Sequence, residues 1–264
     1  KSLMSTANDI FNKALKAHTQ GEISEAVKYY QYSIDHCFND PRAFSNYGIV
    51  LRDLGKIKEA EKYIRKAIEI KPDYTIAHYH LSAILKDLDR FQEAEISLRK
   101  SIELKPDFAM AHSNLGIILI NLGRIEEAEL SIRKAIEIED ENAAAHSNLG
   151  NTLIALGKLE EAEKSLRKAI GLKPDFAMAH FNLGRVLIEF DKLEEAEKSI
   201  RKTIELRPDY AEANYQLSIV FCKQNKLNKA LLEINNAIKK DPGNHIFEGE
   251  LTRIKFLCEE FEEI

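Results

Sequence analysis

The sequence predicts an all-α fold, a right-handed superhelical solenoid of helix-turn-helix units, and three observations carry that expectation. Five of the six prolines, Pro72, Pro106, Pro174, Pro208 and Pro242, are spaced by 34 residues or a multiple of it, with Asp140 in the skipped slot. Eight of the eleven glycines fall in two phases of the same period: Gly48, Gly116, Gly150 and Gly184 in one, Gly21, Gly55, Gly123 and Gly157 in the other. An alanine phase, Ala26, Ala60, Ala94, Ala128, Ala162, Ala196 and Ala230, holds without exception. A fixed period of about 20–50 residues marks a repeat architecture, in which each unit buries its apolar face on its neighbours.

The period places seven units of 34 residues at 7–40, 41–74, 75–108, 109–142, 143–176, 177–210 and 211–244, after a leader over 1–6 and before a capping helix over 245–264. Each unit reads as two helices. In the fifth, Ala145, Leu149, Thr152, Leu153 and Leu156 recur at helical spacing, and Gly157 ends that helix. The equivalent residues elsewhere are Gly21, Gly55, Asp89, Gly123, Asp191 and Asn225, the types that tolerate positive φ. A second helix follows, with Leu159, Ala162, Leu166, Ala169, Ile170 and Leu172 on its buried side; Pro174 stops it, and Asp175 is expected to cap the next helix. A small-residue phase (Ala14, Gly48, Ser82, Gly116, Gly150, Gly184, Ser218) is expected to face the alanine phase across the hairpin, where only small side chains allow close approach.

The ends read as caps. Lys13 stands where later units carry Tyr47, Leu81, Leu115, Leu149, Leu183 and Leu217, which suits a first repeat with no predecessor. Beyond Asn244 the phase runs on for half a unit, and Phe247, Leu251, Ile254, Cys258 and Phe261 make one helical stripe expected to cover the last repeat.

These phases resemble the tetratricopeptide repeat, which expects Leu-Gly at positions 7 and 8 of each unit, Ala at 20 and 27, and Pro at 32. Here those are Leu149-Gly150, Ala162, Ala169 and Pro174, recurring with local departures in all seven units. The usual aromatic at position 4 is kept as Phe44 but replaced by His78, His112, His146 and His180. The resemblance covers nearly the whole chain. It implies a superhelix of antiparallel helix pairs whose first helices line a concave groove.

Charge and composition narrow the function. The chain has 38 Lys+Arg against 43 Asp+Glu, a net charge of -5, and its second helices run acidic to basic, as in Glu160, Glu161 and Glu163 before Lys164, Arg167 and Lys168. That order suits the helix dipole, offers i,i+4 pairs on a solvated convex face, and argues against nucleic acid as a partner. Three cysteines (37, 222 and 258) without a CxxC pair fit neither a disulfide framework nor a zinc module, and no apolar run is long enough to cross a bilayer. A cytoplasmic, non-enzymatic protein without cofactor, metal or catalytic site is expected. The four histidines sit on successive repeats, too far apart for one ion, and read as half-buried replacements of the usual aromatic.

The resemblance puts the binding surface on the first helices. Position 6 is Asn12, Asn46, His80, Asn114, Asn148, Asn182 and Gln216. A carboxamide both donates and accepts, so such a row can hold an extended peptide backbone without reading its sequence. The row is similar to the asparagine ladder of O-linked N-acetylglucosamine transferases; the competing reading is that these side chains bond to water or to neighbouring backbone. Beside it, Met110, Ile117, Ile120, Ile154, Met178, Phe181, Ile188, Tyr215 and Ile219 offer apolar contact, with Ile120, Ile154 and Ile188 expected as a line of exposed aliphatics unless neighbouring helices bury them. The clamp by which some members hold a chaperone's C-terminal carboxylate is matched by Asn151 and Asn182. Its basic slots hold Ser147, Glu212 and Gln216, so that ligand is not expected. The expected function is a protein-interaction scaffold for an extended or amphipathic peptide. The alternatives are a targeting arm of a larger bacterial transferase or hydroxylase, as the absence of an initial Met would allow, and a self-assembling solenoid that forms homo-oligomers.

Overall fold

A computed structural model describes residues 3–36 and 39–262; Lys1, Ser2, Cys37, Phe38, Glu263 and Ile264 lie outside the described residues, as does the side chain of Phe261. The described residues form fifteen helices and no strand. In chain order they are α1 (Leu3–Thr19), α2 (Ile23–Asp35), α3 (Pro41–Asp53), α4 (Ile57–Ile70), α5 (Thr75–Asp87), α6 (Phe91–Leu104), α7 (Ala109–Asn121), α8 (Ile125–Ile138), α9 (Ala143–Ala155), α10 (Leu159–Leu172), α11 (Ala177–Glu189), α12 (Leu193–Leu206), α13 (Ala211–Lys223), α14 (Leu227–Lys240) and α15 (His245–Glu262). They fit seven helical hairpins and one further helix. The first helix starts at Leu3, within the segment expected as a leader.

The chain divides into two compact units, Lys1–Ile138 and Glu139–Ile264, with the boundary beside Asp140, which stands where other repeats carry proline. In the first unit, α1/α2, α3/α4, α5/α6 and α7/α8 pair as hairpins, and α3 also touches α5. In the second, α9/α10, α11/α12 and α13/α14 pair, α11 touches both α9 and α13, and α15 packs on α14.

Every hairpin turn is built the same way. At Gly55 the chain takes φ 76°; its N–H bonds Arg52 O at 2.9 Å, and the Lys56 N–H bonds Leu51 O at 2.8 Å. This closes two carbonyls that the helix end leaves without partners. Asp89, Asp191 and Asn225 adopt φ of 56–57° and make the same two bonds, as their residue types predict.

Inside each hairpin the small phase permits the close approach expected of it. A Cβ built on Gly116 would lie 2.3 Å from Ile132 Cγ1 and 3.3 Å from the Ala128 carbonyl. Gly48, Gly150 and Gly184 meet Ile64, Leu166 and Ile200 in the same way. The glycines therefore face the Ile or Leu four residues after the alanine, with the alanine backbone beside it. Ser82 and Ser218 fill the slot by turning their hydroxyls back onto Tyr79 O and Tyr215 O.

One detail differs from the sequence reading and two extend it. Asp175 does not cap α11: the preceding residue is Phe176, and no side chain caps that helix. Side-chain caps form only where Asp or Asn directly precedes the helix, as with Asp40 onto the Arg42 N–H (2.8 Å) and Asn142 onto the Ala145 N–H (3.0 Å). At the four aromatic positions, Tyr74, Phe108, Phe176 and Tyr210, a cation three residues earlier lies over the ring instead, Lys71, Lys105, Lys173 and Arg207 respectively. Secondly, the expected i,i+4 pairs form within the second helices, as in Glu163–Arg167 (2.7 Å), Glu61–Arg65 and Glu95–Arg99, and further bridges join neighbouring repeats. Glu61 accepts from both Arg65 and Arg90, Glu95 from Arg99 and Arg124, and Glu163 from Arg167 and Lys192. Burial of Glu163 raises its pKa, yet the bonds from Arg167 and Lys192 outweigh this and leave it lowered. Thirdly, the histidines at position 4 have a defined task. His78, His112, His146 and His180 each donate from Nε2, at 2.8 Å, to the carbonyl six residues earlier, of Pro72, Pro106, Asp140 and Pro174. Each imidazole thus ties its helix to the preceding turn.

Lys13 is exposed while Tyr47, Leu81, Leu115, Leu149, Leu183 and Leu217 are buried. In α15, Phe247 and Ile254 are buried, Phe247 lying against Tyr215 at 5.3 Å between ring centroids.

Candidate interaction surface on the first helices

The residues expected to form a groove divide sharply between the two units. In the first unit three of the four position-6 side chains, Asn46, His80 and Asn114, lie against hydroxyl groups of the fold. Asn46 lies beside the Tyr30 hydroxyl, whose pKa burial pushes up to about 12, and Asn114 beside that of Tyr79, likewise raised by burial. His80 shares a 2.9 Å hydrogen bond with the buried Ser45 hydroxyl, and burial, helped by the charges of Arg52 and His18, holds its pKa down to about 4. Arg52 and Asp87 form a two-bond ion pair at 2.6 and 3.2 Å. Three of these contacts, Ser45–His80, Arg52–Asp87 and Tyr79–Asn114, join residues 35 apart. Neighbouring first helices are therefore offset by one unit plus one residue. That offset was available in the sequence and would have identified Tyr79 as the partner of Asn114. Asn12, on the terminal helix, is exposed.

In the second unit the same offset yields no hydrogen bond to a position-6 side chain among the described residues. The residue 35 before Asn182 is Ser147, and the one before Gln216 is Phe181. Among the described residues, the carboxamides of Asn148, Asn182 and Gln216 make no hydrogen bond. Asn182 is only 6% exposed; because no fully enclosed side-chain nitrogen or oxygen lacks a partner, its carboxamide opens onto solvent.

The apolar residues do not form the exposed line expected. Ile188 is 5% exposed and Phe181 6%, the latter packed edge-on against Tyr210 at 5.0 Å. Ile117, Ile120, Ile154 and Met178 are half-buried, and Met110 is exposed. The packing of α11 against first helices on both sides accounts for the burial at α11. A cavity of about 290 Å³ remains in this unit, lined by Ile154, Gly157, Leu159, Arg185, Val186 and Glu189.

Models of the tetratricopeptide repeat match residues 41–74, 76–108, 97–129 and 147–211. The chain belongs to the tetratricopeptide-repeat family. Solved tetratricopeptide-repeat structures share its fold. A chain of the APC/C hetero-tetramer Cut9–Hcn1 superposes with a TM-score of 0.81 at 16% identity, covering 91% of this chain and 48% of that one. This chain thus spans about half the length of that relative. YrrB, described as a TPR protein with an unusual peptide-binding site, gives 0.58 at 24% identity over 70% and 96% of the two chains. Pseudomonas aeruginosa pilF gives 0.73 at 19% identity over 83% and 97%. No curated protein matches the chain. Among the described residues of this tetratricopeptide-repeat protein, no helix is long and apolar enough to cross a membrane, and no group of three or more His, Cys, Asp or Glu could hold a metal ion.

Proposed function

We propose that this tetratricopeptide-repeat protein is a non-enzymatic interaction scaffold that holds an extended peptide against the first helices of its second unit, α9, α11 and α13. The observation that carries the reading is the contrast at position 6. Asn46 and Asn114 lie beside the Tyr30 and Tyr79 hydroxyls and His80 is bonded to Ser45, whereas Asn148, Asn182 and Gln216 face no such group and make no hydrogen bond among the described residues. A carboxamide can accept from one peptide N–H and donate to a carbonyl, so a row of them pairs with a strand-like backbone. Ile154 and Met178 supply the accompanying apolar contact, while Phe181 and Ile188 support it from beneath. Asn46 and Asn114 lie beside tyrosine hydroxyls and are therefore placed outside the proposed site, and Ile117 and Ile120 line the corresponding face of the first unit.

The test is a selection of phage-displayed random peptides on the full chain, followed by titration of a selected peptide against the N148A/N182A double variant. At about 0.5–1.5 kcal/mol per hydrogen bond, the double variant weakens binding about tenfold or more. Unchanged affinity would remove the carboxamides from the site.

A further inference from the structure

Position 9 of the first helices is Ile49, Ala83, Ile117, Asn151, Arg185 and Ile219 in the second to seventh units. The repeat supplies its own control, and a cation stands in this slot once. Arg185 is half-buried on α11, one turn beyond Asn182, with its guanidinium 6.0 Å from the centroid of the Phe181 ring. Arg42 and Arg52, the other arginines on these six first helices, are bound to Asp40 and Asp87. Among the described residues Arg185 has no carboxylate within ion-pair distance, even though Glu189 lies one turn along and lines the same cavity. On the neighbouring α13, the acidic residue of the face is Glu212, which likewise makes no ion pair with it.

Deepening the peptide-binding reading, on which this rests, we infer that Arg185 selects the ligand: the site takes an extended peptide carrying an Asp or Glu side chain, whose carboxylate pairs with the Arg185 guanidinium while Asn182 holds the adjacent backbone. Three features support this. A half-buried guanidinium without a counter-charge is the electrostatic complement of a carboxylate and can bind it with two parallel N–H···O bonds. The 290 Å³ cavity beside it, walled by Ile154, Leu159 and Val186, has room for a side chain and lowers the dielectric in which the pair would form. The nearly buried Asn182 carboxamide, one turn away on the same helix, makes no hydrogen bond among the described residues and opens onto solvent. The carboxylate comes from a side chain rather than a chain terminus. A terminal carboxylate is held by several cations, and the slots that would provide them carry Ser147, Glu212 and Gln216.

The experiment uses the full chain and a random peptide library displayed through its C-terminus, so that no free carboxyl terminus is offered, panned in parallel on wild type, R185Q and R185E. Wild type enriches peptides with Asp or Glu at one fixed position. R185Q binds a selected peptide about tenfold or more weakly, and R185E shifts the enrichment towards Lys and Arg. Peptides enriched without acidic preference, bound equally by R185E but lost in N148A/N182A, would overturn the inference and leave the peptide-binding reading standing. Failure of wild type to enrich any peptide that competes for α9, α11 and α13 would overturn both.

Discussion

His80 is the single position-6 side chain whose charge state matters to the fold. Its folded pKa of about 4 lies below the ordinary 6.5, so between those values the unfolded chain binds more protons than the folded one. The stability associated with a neutral His80 is therefore complete above about pH 6.5 and is lost as pH falls towards 4. Urea unfolding across that range should show this loss in wild type and a shallower one in H80N, which restores the residue of the other repeats. Two glycines give a second comparison. Gly116→Ala drives a Cβ into Ile132 and the Ala128 carbonyl and should cost about 1–3 kcal/mol, whereas Gly171→Ala, with nothing within 4 Å, should stabilise α10 by up to about 1 kcal/mol. Denaturant midpoints distinguish the two signs. Residue chemistry of this local kind was legible in the sequence: Asp89, Asp191 and Asn225 occupy positive φ because no β-branched or bulky residue ever enters that phase. The supposed Asp175 cap was not, because capping depends on the residue immediately before the helix, and there the sequence places Phe176.

At the scale of elements, hairpins are specified by short-range pattern, while the contacts between repeats depend on an offset that pattern alone does not display. The terminal stripe of α15 was readable because apolar spacing along one helix is enough to define its buried side. Ile254 is fully enclosed, and Ile254→Ala should cost about 2–5 kcal/mol in denaturant unfolding. The candidate surface was read less well for the opposite reason. Ile188 and Phe181 share the register of exposed residues along their own helix, but α9 and α13 flank α11 and leave them little solvent. The charged second helices carry a similar lesson: i,i+4 spacing revealed Glu163–Arg167, whereas the bridges Glu61–Arg90 and Glu95–Arg124 join residues 29 apart. Only the geometry of neighbouring repeats brings those together.

For the whole molecule, stability is distributed over neighbour contacts within each of two compact units rather than concentrated in one central core. The effect of a local lesion should therefore fade with distance along the repeats. Ile254→Ala should accelerate hydrogen exchange in α13, α14 and α15 while leaving α3–α6 at wild-type rates; uniform acceleration would show a single cooperative block. The proposed site lies within one unit in the same way, on the carboxamides of Asn148, Asn182 and Gln216, which make no hydrogen bond among the described residues. In the proposed function the first helices of the second unit receive the peptide. Hydrogen–deuterium exchange of the full chain with and without a library-selected peptide tests it most directly. New protection is expected in α9, α11 and α13, strongest around Asn148 and Asn182, and none in α10, α12 and α14. Protection confined to the second helices, or to the first unit, would contradict it.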